Sequence, residues 1–219
     1  MGAETGLRKD AERNRQRIVE AARELFAERG LEVTMDEIAR CAGVGVGTVY
    51  RRFESRDEII AALFEDRMRD YVALGDAALA DPDPWAGFVT FLESSLSMQA
   101  ADRGLKELLM SDRRTLDRIA RVRERVMPLV ERLLVRAQEA GALRADVSVR
   151  DVPVLSLMVG QVIDFTQDAA PDLWRRYLAL LLDGLRGGVG PLPGSPLEPE
   201  QLDAAMAAFR PRGRPRASR

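Results

Sequence analysis

Between Val46 and Arg52 the chain reads Val-Gly-Thr-Val-Tyr-Arg-Arg, which gathers two hydroxyls, Thr48 and Tyr50, and two guanidiniums, Arg51 and Arg52, around Gly47. These groups exchange hydrogen bonds and neutralise anions, but none of them titrates near neutral pH. Their chemistry is recognition of a charged surface that carries its own donors and acceptors, not proton transfer. The rest of the composition points away from catalysis. The chain has no histidine and a single cysteine, Cys41, so the commonest general base and metal ligand is missing and no intramolecular disulfide can form. No Gly-rich phosphate loop or metal-ligand cluster stands out, which leaves only Asp and Glu as acid and base. We therefore expect no enzyme, no cofactor and no metal. Nothing around Cys41 marks a stabilised thiolate, so it reads as a packed small side chain rather than a redox sensor.

Positioning seven such residues requires a rigid frame, and apolar spacing supplies helices almost everywhere without a convincing period-two stretch. Ile18, Ala22, Leu25 and Phe26 line one face of a helix from about Asn14 to Arg29, with Gly30 at its end. Thr34-Met-Asp-Glu37 is a capping box with Val33 and Ile38 at the staple positions, opening a short helix from Met35 to about Cys41. Gly43 and Gly45 supply the turn before a second short helix, about Val46 to Phe53. Val49 and Phe53 point inward, and small Ala39 lets the short helices approach. Ser55-Arg-Asp-Glu58 repeats the capping box and opens a long helix to about Ala80. Further helices are expected at about Trp85 to Ala100, Leu105 to Ser111, Thr115 to Ala140, Val152 to Gln167 and Leu173 to Arg186. Pro128 must kink the third of these or divide it into two helices joined end to end. Gly187 to Pro199 reads as a linker before a short amphipathic helix using Leu202, Met206 and Phe209.

Three helices in the first 53 residues, the last two short and joined by a glycine turn, form a helix-turn-helix. Its second short helix would lie in a DNA major groove, with base edges near its N-terminal residues and phosphates on its neighbours. Thr34, Val46, Gly47, Thr48, Tyr50, Arg51 and Arg56 are the candidate DNA contacts; Thr34 and Arg56 begin flanking helices, where free amides favour phosphate. Arg8, Lys9, Arg13, Arg15 and Arg17 add an arm of positive charge. The overall net charge of −2 hides this distribution. Residues 1–56 hold 11 basic and 10 acidic side chains, residues 57–209 hold 17 and 25, and the last ten hold five arginines and no acid.

The stretch from Ile18 to Leu63 resembles the TetR/AcrR (tetracycline-repressor-like) family. The shared runs are A-x-x-L-F-x-x-x-G at Ala22 to Gly30, T-x-x-x-I-A-x-x-A-G-V at Thr34 to Val44, and G-T-V-Y-x-x-F at Gly47 to Phe53. The family pattern often has Ser or Thr and then a polar or basic residue where this chain has Gly45 and Val46, which removes one side-chain cap and one base-reading group. The resemblance implies an all-α chain: a helix-turn-helix DNA-binding domain over residues 1–56, a helical ligand-binding and dimerisation domain over 57–186, and a linker, short helix and basic tail over 187–219. It implies a repressor of transcription that binds a double-stranded operator as a homodimer and is released by a small hydrophobic or amphipathic effector.

In the body, Met68, Tyr71, Trp85, Phe88, Leu92, Met127, Val130, Gln161 and Phe165 are the candidate effector contacts, though most would equally fill a plain core. Gln161 and Asp164 could orient a ligand, bridge subunits or lie on a solvated stripe. If the resemblance holds, the helices at Val152 to Gln167 and Leu173 to Arg186 pair with their two-fold mates as a four-helix interface. Pro211-Arg-Gly-Arg-Pro215 with Arg216 looks like the core of a minor-groove AT-hook, or is a solvated basic tail adding nonspecific phosphate attraction. No apolar run spans a bilayer and no apolar region follows the N-terminal charges, so a cytoplasmic location is expected. A ligand-independent or partner-controlled regulator, and a helical interaction module without duplex affinity, are the competing functions.

Overall fold

The computed structural model describes residues 2–29, 33–101, 113–186 and 190–208. Among them are nine helices and no strand: α1 (Gly2–Arg29), α2 (Met35–Ala42), α3 (Val46–Arg52), α4 (Arg56–Ala80), α5 (Pro84–Ala101), α6 (Arg113–Glu139), α7 (Asp151–Thr166), α8 (Trp174–Leu185) and α9 (Pro199–Ala208). No helix among the described residues is long and apolar enough to cross a membrane. The helix expected at Leu105 to Ser111 lies outside the described residues, as does everything after Ala208. Helix α1 begins at Gly2, so the basic residues before Asn14 belong to its first turns instead of to an arm ahead of it.

The chain divides into two compact units, one reaching Tyr71 and the other beginning at Val72, so that α4 contributes to both. In the first, Ile18, Val19, Ala22 and Phe26 of α1 form one buried cluster with Ile38 and Ala39 of α2, Val49 of α3, and Ile59 and Leu63 of α4. Asp66 of α4 is buried there; Arg23 of α1 lies 3.9 Å away and Arg69 pairs with it one turn on. A buried carboxylate requires such partners, and this one ties α4 to α1.

In the second unit α5, α6, α7 and α8 supply the buried apolar residues, among them Phe88, Leu92, Leu133, Ile163 and Leu178. Glycines set how closely two of these helices approach α4. A Cβ on Gly75 would stand 1.9 Å from Leu129 Cδ2, and one on Gly87 would stand 2.3 Å from the carbonyl oxygen of Ala78. Arg136 of α6 donates to the carbonyl of Leu79 at 3.0 Å and to that of Asp81, closing the C-terminal end of α4. Helix α6 runs unbroken through Pro128, which decides between the two expectations for that segment in favour of one helix. It ends at Glu139, and Gly141 in the turn that follows has a φ of 67°, the left-handed geometry that glycine tolerates best.

The segment after α8 is less free than a glycine- and proline-rich linker would be. Arg144 pairs with Asp146 and donates to the carbonyl of Gly190 at 2.6 Å, while the amide of Leu192 donates to Asp146 Oδ2 at 2.8 Å. Gln138 Nε2 steadies the same loop through the carbonyls of Arg144 and Val147, at 3.0 and 2.9 Å. Helix α9 follows with Leu202 buried and Met206 half-buried.

Candidate nucleic-acid interface

Helix α2 starts where the sequence says it must. Thr34 has extended backbone geometry, its hydroxyl accepts from the amide of Glu37 at 3.3 Å, and the Glu37 carboxylate accepts from the Thr34 amide at 2.8 Å. Arg29 closes on the same carboxylate at 2.7 Å. The Thr34 hydrogen bonds and then Arg29 hold the Glu37 carboxyl at about 2, well below its ordinary value. Val33 and Ile38 are both buried, completing the staple. The helix stops at Gly43, with φ 63° and ψ 38°, and the amide of Val44 reaches back to the carbonyl of Ala39 at 3.0 Å. A side chain at Gly43 would suffer twice, from the positive φ and from the Arg17 guanidinium, which lies 2.8 Å from where its Cβ would be.

Helix α3 begins after Gly45 without a side-chain cap, as the departure from Ser or Thr implies. Val49 is completely buried and Phe53 nearly so, which fixes the rotation of α3 on the core. The other face is outward: Val46, Gly47, Tyr50, Arg51 and Arg52 are exposed and Thr48 is half-buried. Tyr50 keeps 52% of its surface open. Arg51 Nη2 donates to Thr48 Oγ1 at 3.1 Å, so the guanidinium is steered along the outer face. Among the described residues, nothing outside its own helix backbone and chain neighbours lies within 4 Å of the place a Cβ on Gly47 would occupy. Thr34 is exposed at the start of α2, and Arg56 is half-buried as the first residue of α4.

Sequence reasoning left two neighbours of this face without a specific place. The Arg15 guanidinium stacks over the Phe53 ring at 5.7 Å from its centroid, and Arg17 sits at the helix-turn-helix turn. No local signal marks either contact, since each joins α1 to a residue 26 or more positions later. The second capping box is modified. Ser55 accepts from the amide of Glu58 at 3.4 Å, but the Glu58 carboxylate reaches the amide of Glu54 at 2.8 Å, one residue before the expected partner. Cys41 is exposed rather than packed, its Sγ 3.9 Å from Glu24 Oε2.

The candidate effector residues fall in both units. Met68 is buried and Tyr71 half-buried in the first unit. In the second, Phe88, Leu92 and Val130 are buried and Met127 is half-buried, while Trp85 lies between the Phe88 ring at 6.1 Å and the Arg186 guanidinium at 4.8 Å. Gln161 is exposed, and Phe165 is 89% exposed. An apolar crevice of about 260 Å³, open solvent at its mouth included, lies among α5, α7 and α8. Leu92 is the one candidate on its wall; Leu96, Leu155, Ser156, Val159 and Leu182 also line it, and the accessible wall is entirely apolar.

Known proteins resemble both units. Residues 18–63 match the profile of bacterial regulatory proteins of the tetR family, and residues 83–187 match that of the SbtR-like transcriptional regulator C-terminal domain. An HTH-type transcriptional regulator of Staphylococcus aureus (strain USA300) is 48% identical over 54 residues, a match covering 24% of this chain and 29% of that protein. A TetR transcriptional regulator from Streptomyces coelicolor is 27% identical with a TM-score of 0.62, covering 78% of this chain and 98% of that one. The TetR transcription regulatory protein from Mycobacterium vanbaalenii is 35% identical with a TM-score of 0.64, covering 82% of this chain and 99% of that one. With a relative matched over nearly its whole length and family profiles meeting both the head and the body, this chain belongs to the TetR family of bacterial transcriptional regulators.

Proposed function

We propose that the chain is a cytoplasmic, sequence-specific DNA-binding regulator, a repressor that grips its operator as a homodimer through the outer face of α3. The observation that carries this is Gly47. A glycine inside a helix costs about 1 kcal/mol relative to alanine, and here there is open space for the missing methyl. Nothing packed against this position among the described residues accounts for it, whereas a surface brought against α3 does. The seven residues of α3 make a rod about 10 Å long, and a major groove about 12 Å wide admits a helix of ordinary diameter. Thr48 and Tyr50 then face base edges, and Arg51 with Arg56 and the start of α2 face phosphates.

The second copy is supported by α7 and α8. Met158 at 50% exposure, Phe165 at 89% and Leu180 at 58% leave apolar surface on the outer faces of two helices that pack together. Gly184, beside Leu180 and Tyr177 on α8, is again a helical glycine with open space around it. Pairing these faces about a two-fold axis would bury them in a four-helix interface. Gln161 and Phe165 thus act as interface residues in this account, and not as effector contacts.

The crevice among α5, α7 and α8, whose accessible wall is entirely apolar, is the entry point for an effector. The crevice has room for no more than about one water molecule, far too little for a small-molecule ligand, so an effector acts by favouring a more open body. That small size also favours the second reading, a regulator that answers to no small molecule. The decisive test is anisotropy of a labelled duplex from the gene's own upstream DNA against an unrelated duplex. Preference for the upstream duplex, lost in Tyr50→Ala while salt-sensitive nonspecific binding persists, supports the proposal; equal affinity for both duplexes refutes it.

A further inference from the structure

The crevice among α5, α7 and α8 adjoins a polar seam whose groups cost the fold stability. On α5 the buried face runs through Phe88, Phe91, Leu92 and Leu96, and helical spacing sets Ser95 and Gln99 in the middle of it. Ser156, Gly160, Ile163 and Gln167 share one face of α7 and its C-cap in the same way. The two faces meet at Gly160, where an added Cβ would stand 2.8 Å from Gln99 Nε2, so the glycine is what lets the Gln99 amide lie against α7. Ser95 Oγ and Gln167 Oε1 are buried and have no hydrogen-bond partner among the described residues. Each such oxygen destabilises the body, because water satisfied it in the unfolded chain. Apolar residues of similar size would pack in these places without that cost.

We propose that this seam is the polar end of the effector site, and that the effector is an uncharged amphipathic molecule whose hydroxyl bonds Ser95 and Gln99 while its apolar part occupies the opened crevice. The inference rests on the reading that the crevice admits an effector. Leu92, Leu96, Leu155, Val159, Leu178 and Leu182 make the apolar end. None of the residues on the two seam faces or lining the crevice is charged, and burying an ion without a counter-charge costs far more than burying a hydroxyl. Serine and glutamine each offer both a donor and an acceptor, so one ligand hydroxyl gives to one of them and takes from the other. Gln99 is also the part that yields. Its side chain is unbranched, and turning the amide off Gly160 makes room at the seam without displacing either helix backbone.

The test titrates 1-octanol, octanoate and octylammonium into the full chain by calorimetry, without DNA. 1-Octanol is expected to bind at least about tenfold more tightly than either ion of the same chain length. Ser95→Ala/Gln99→Met should lower the affinity for 1-octanol about tenfold while raising the midpoint of urea unfolding, since the variant no longer buries an unsatisfied hydroxyl. Equal binding of the three ligands, binding of none of them, or undiminished 1-octanol affinity in the double variant overturns the proposal. So does a lowered urea midpoint, which would make the two side chains part of the packing; if the variant does not fold, the order of the three ligands on the wild type decides alone. Release from DNA is a separate outcome. Were 1-octanol to bind in the expected order and leave affinity for the upstream duplex unchanged, the effector reading would fail and the site would stand; were octanoate or octylammonium to release the duplex, the reverse would hold.

Discussion

Replacing Gly47 with alanine separates folding from binding, because the two should move in opposite directions. Gly47 is the second residue of α3, and among the described residues the site of the added methyl has nothing within 4 Å outside its own helix backbone and chain neighbours. Removing backbone freedom from the unfolded chain without a clash should stabilise the head by about 0.5 to 1 kcal/mol, allowing for the helix terminus. Native-state hydrogen exchange reports this locally: amides of α2 and α3 should exchange about two to five times more slowly. The same methyl stands on the face that meets DNA in the proposed complex. Lifting α3 from the groove by a methyl's thickness should lose about one base-edge contact, 1 to 3 kcal/mol, or roughly 5- to 150-fold in affinity for the upstream duplex. Anisotropy titration measures it. A variant that is more stable and binds equally well would refute the reasoning, because the space beside Gly47 would then be filled by water alone.

Other outcomes follow from the same geometry. Gly87→Ala should behave oppositely to Gly47→Ala, losing about 1 to 3 kcal/mol in urea denaturation because its Cβ meets the backbone oxygen of Ala78. Phe165→Glu should leave the circular dichroism spectrum unchanged, since the ring is already exposed in one chain, and should weaken dimerisation more than 100-fold in sedimentation, from about 1.5 to 3 kcal/mol lost per ring. Arg51→Gln should lower the salt slope of binding by about one per protomer. Glu37 has its pKa lowered to about 2, so its contribution to stability is complete above its ordinary value of 4.5 and is lost as pH falls toward 2. Acid titration of Glu37→Gln, followed by circular dichroism, should show that component missing.

What the sequence reveals and what it hides follow from the range of each signal. Thr34, Glu37, Gly43, Val49 and Phe53 were legible because caps, turns and the facing of a short helix are decided within a few residues. Helix α1 begins twelve residues before Asn14: ahead of Ile18 the only large apolar residue it carries is Leu7, so periodicity has little to register there. Cys41 is exposed because it sits one position off the buried stripe of Met35, Ile38, Ala39 and Ala42, a shift that its residue type does not signal. Helix α7 is apolar on two faces, with Val152, Val159 and Ile163 buried and Met158 and Phe165 open. A period of 3.6 finds both faces without saying which one the chain itself covers. The hold of Arg144 and Asp146 on Gly190 and Leu192 is a long-range polar contact, and composition alone made that segment look like a loose linker.

Methylation interference on the upstream duplex bears most directly on whether a pair of α3 helices reads two major grooves. Guanine N7 lies in the major groove and adenine N3 in the minor, so one chemical probe distinguishes them. The account predicts two clusters of interfering guanines centred one helical turn apart, roughly 34 to 36 Å. A single cluster, or interference confined to adenine N3, would contradict it.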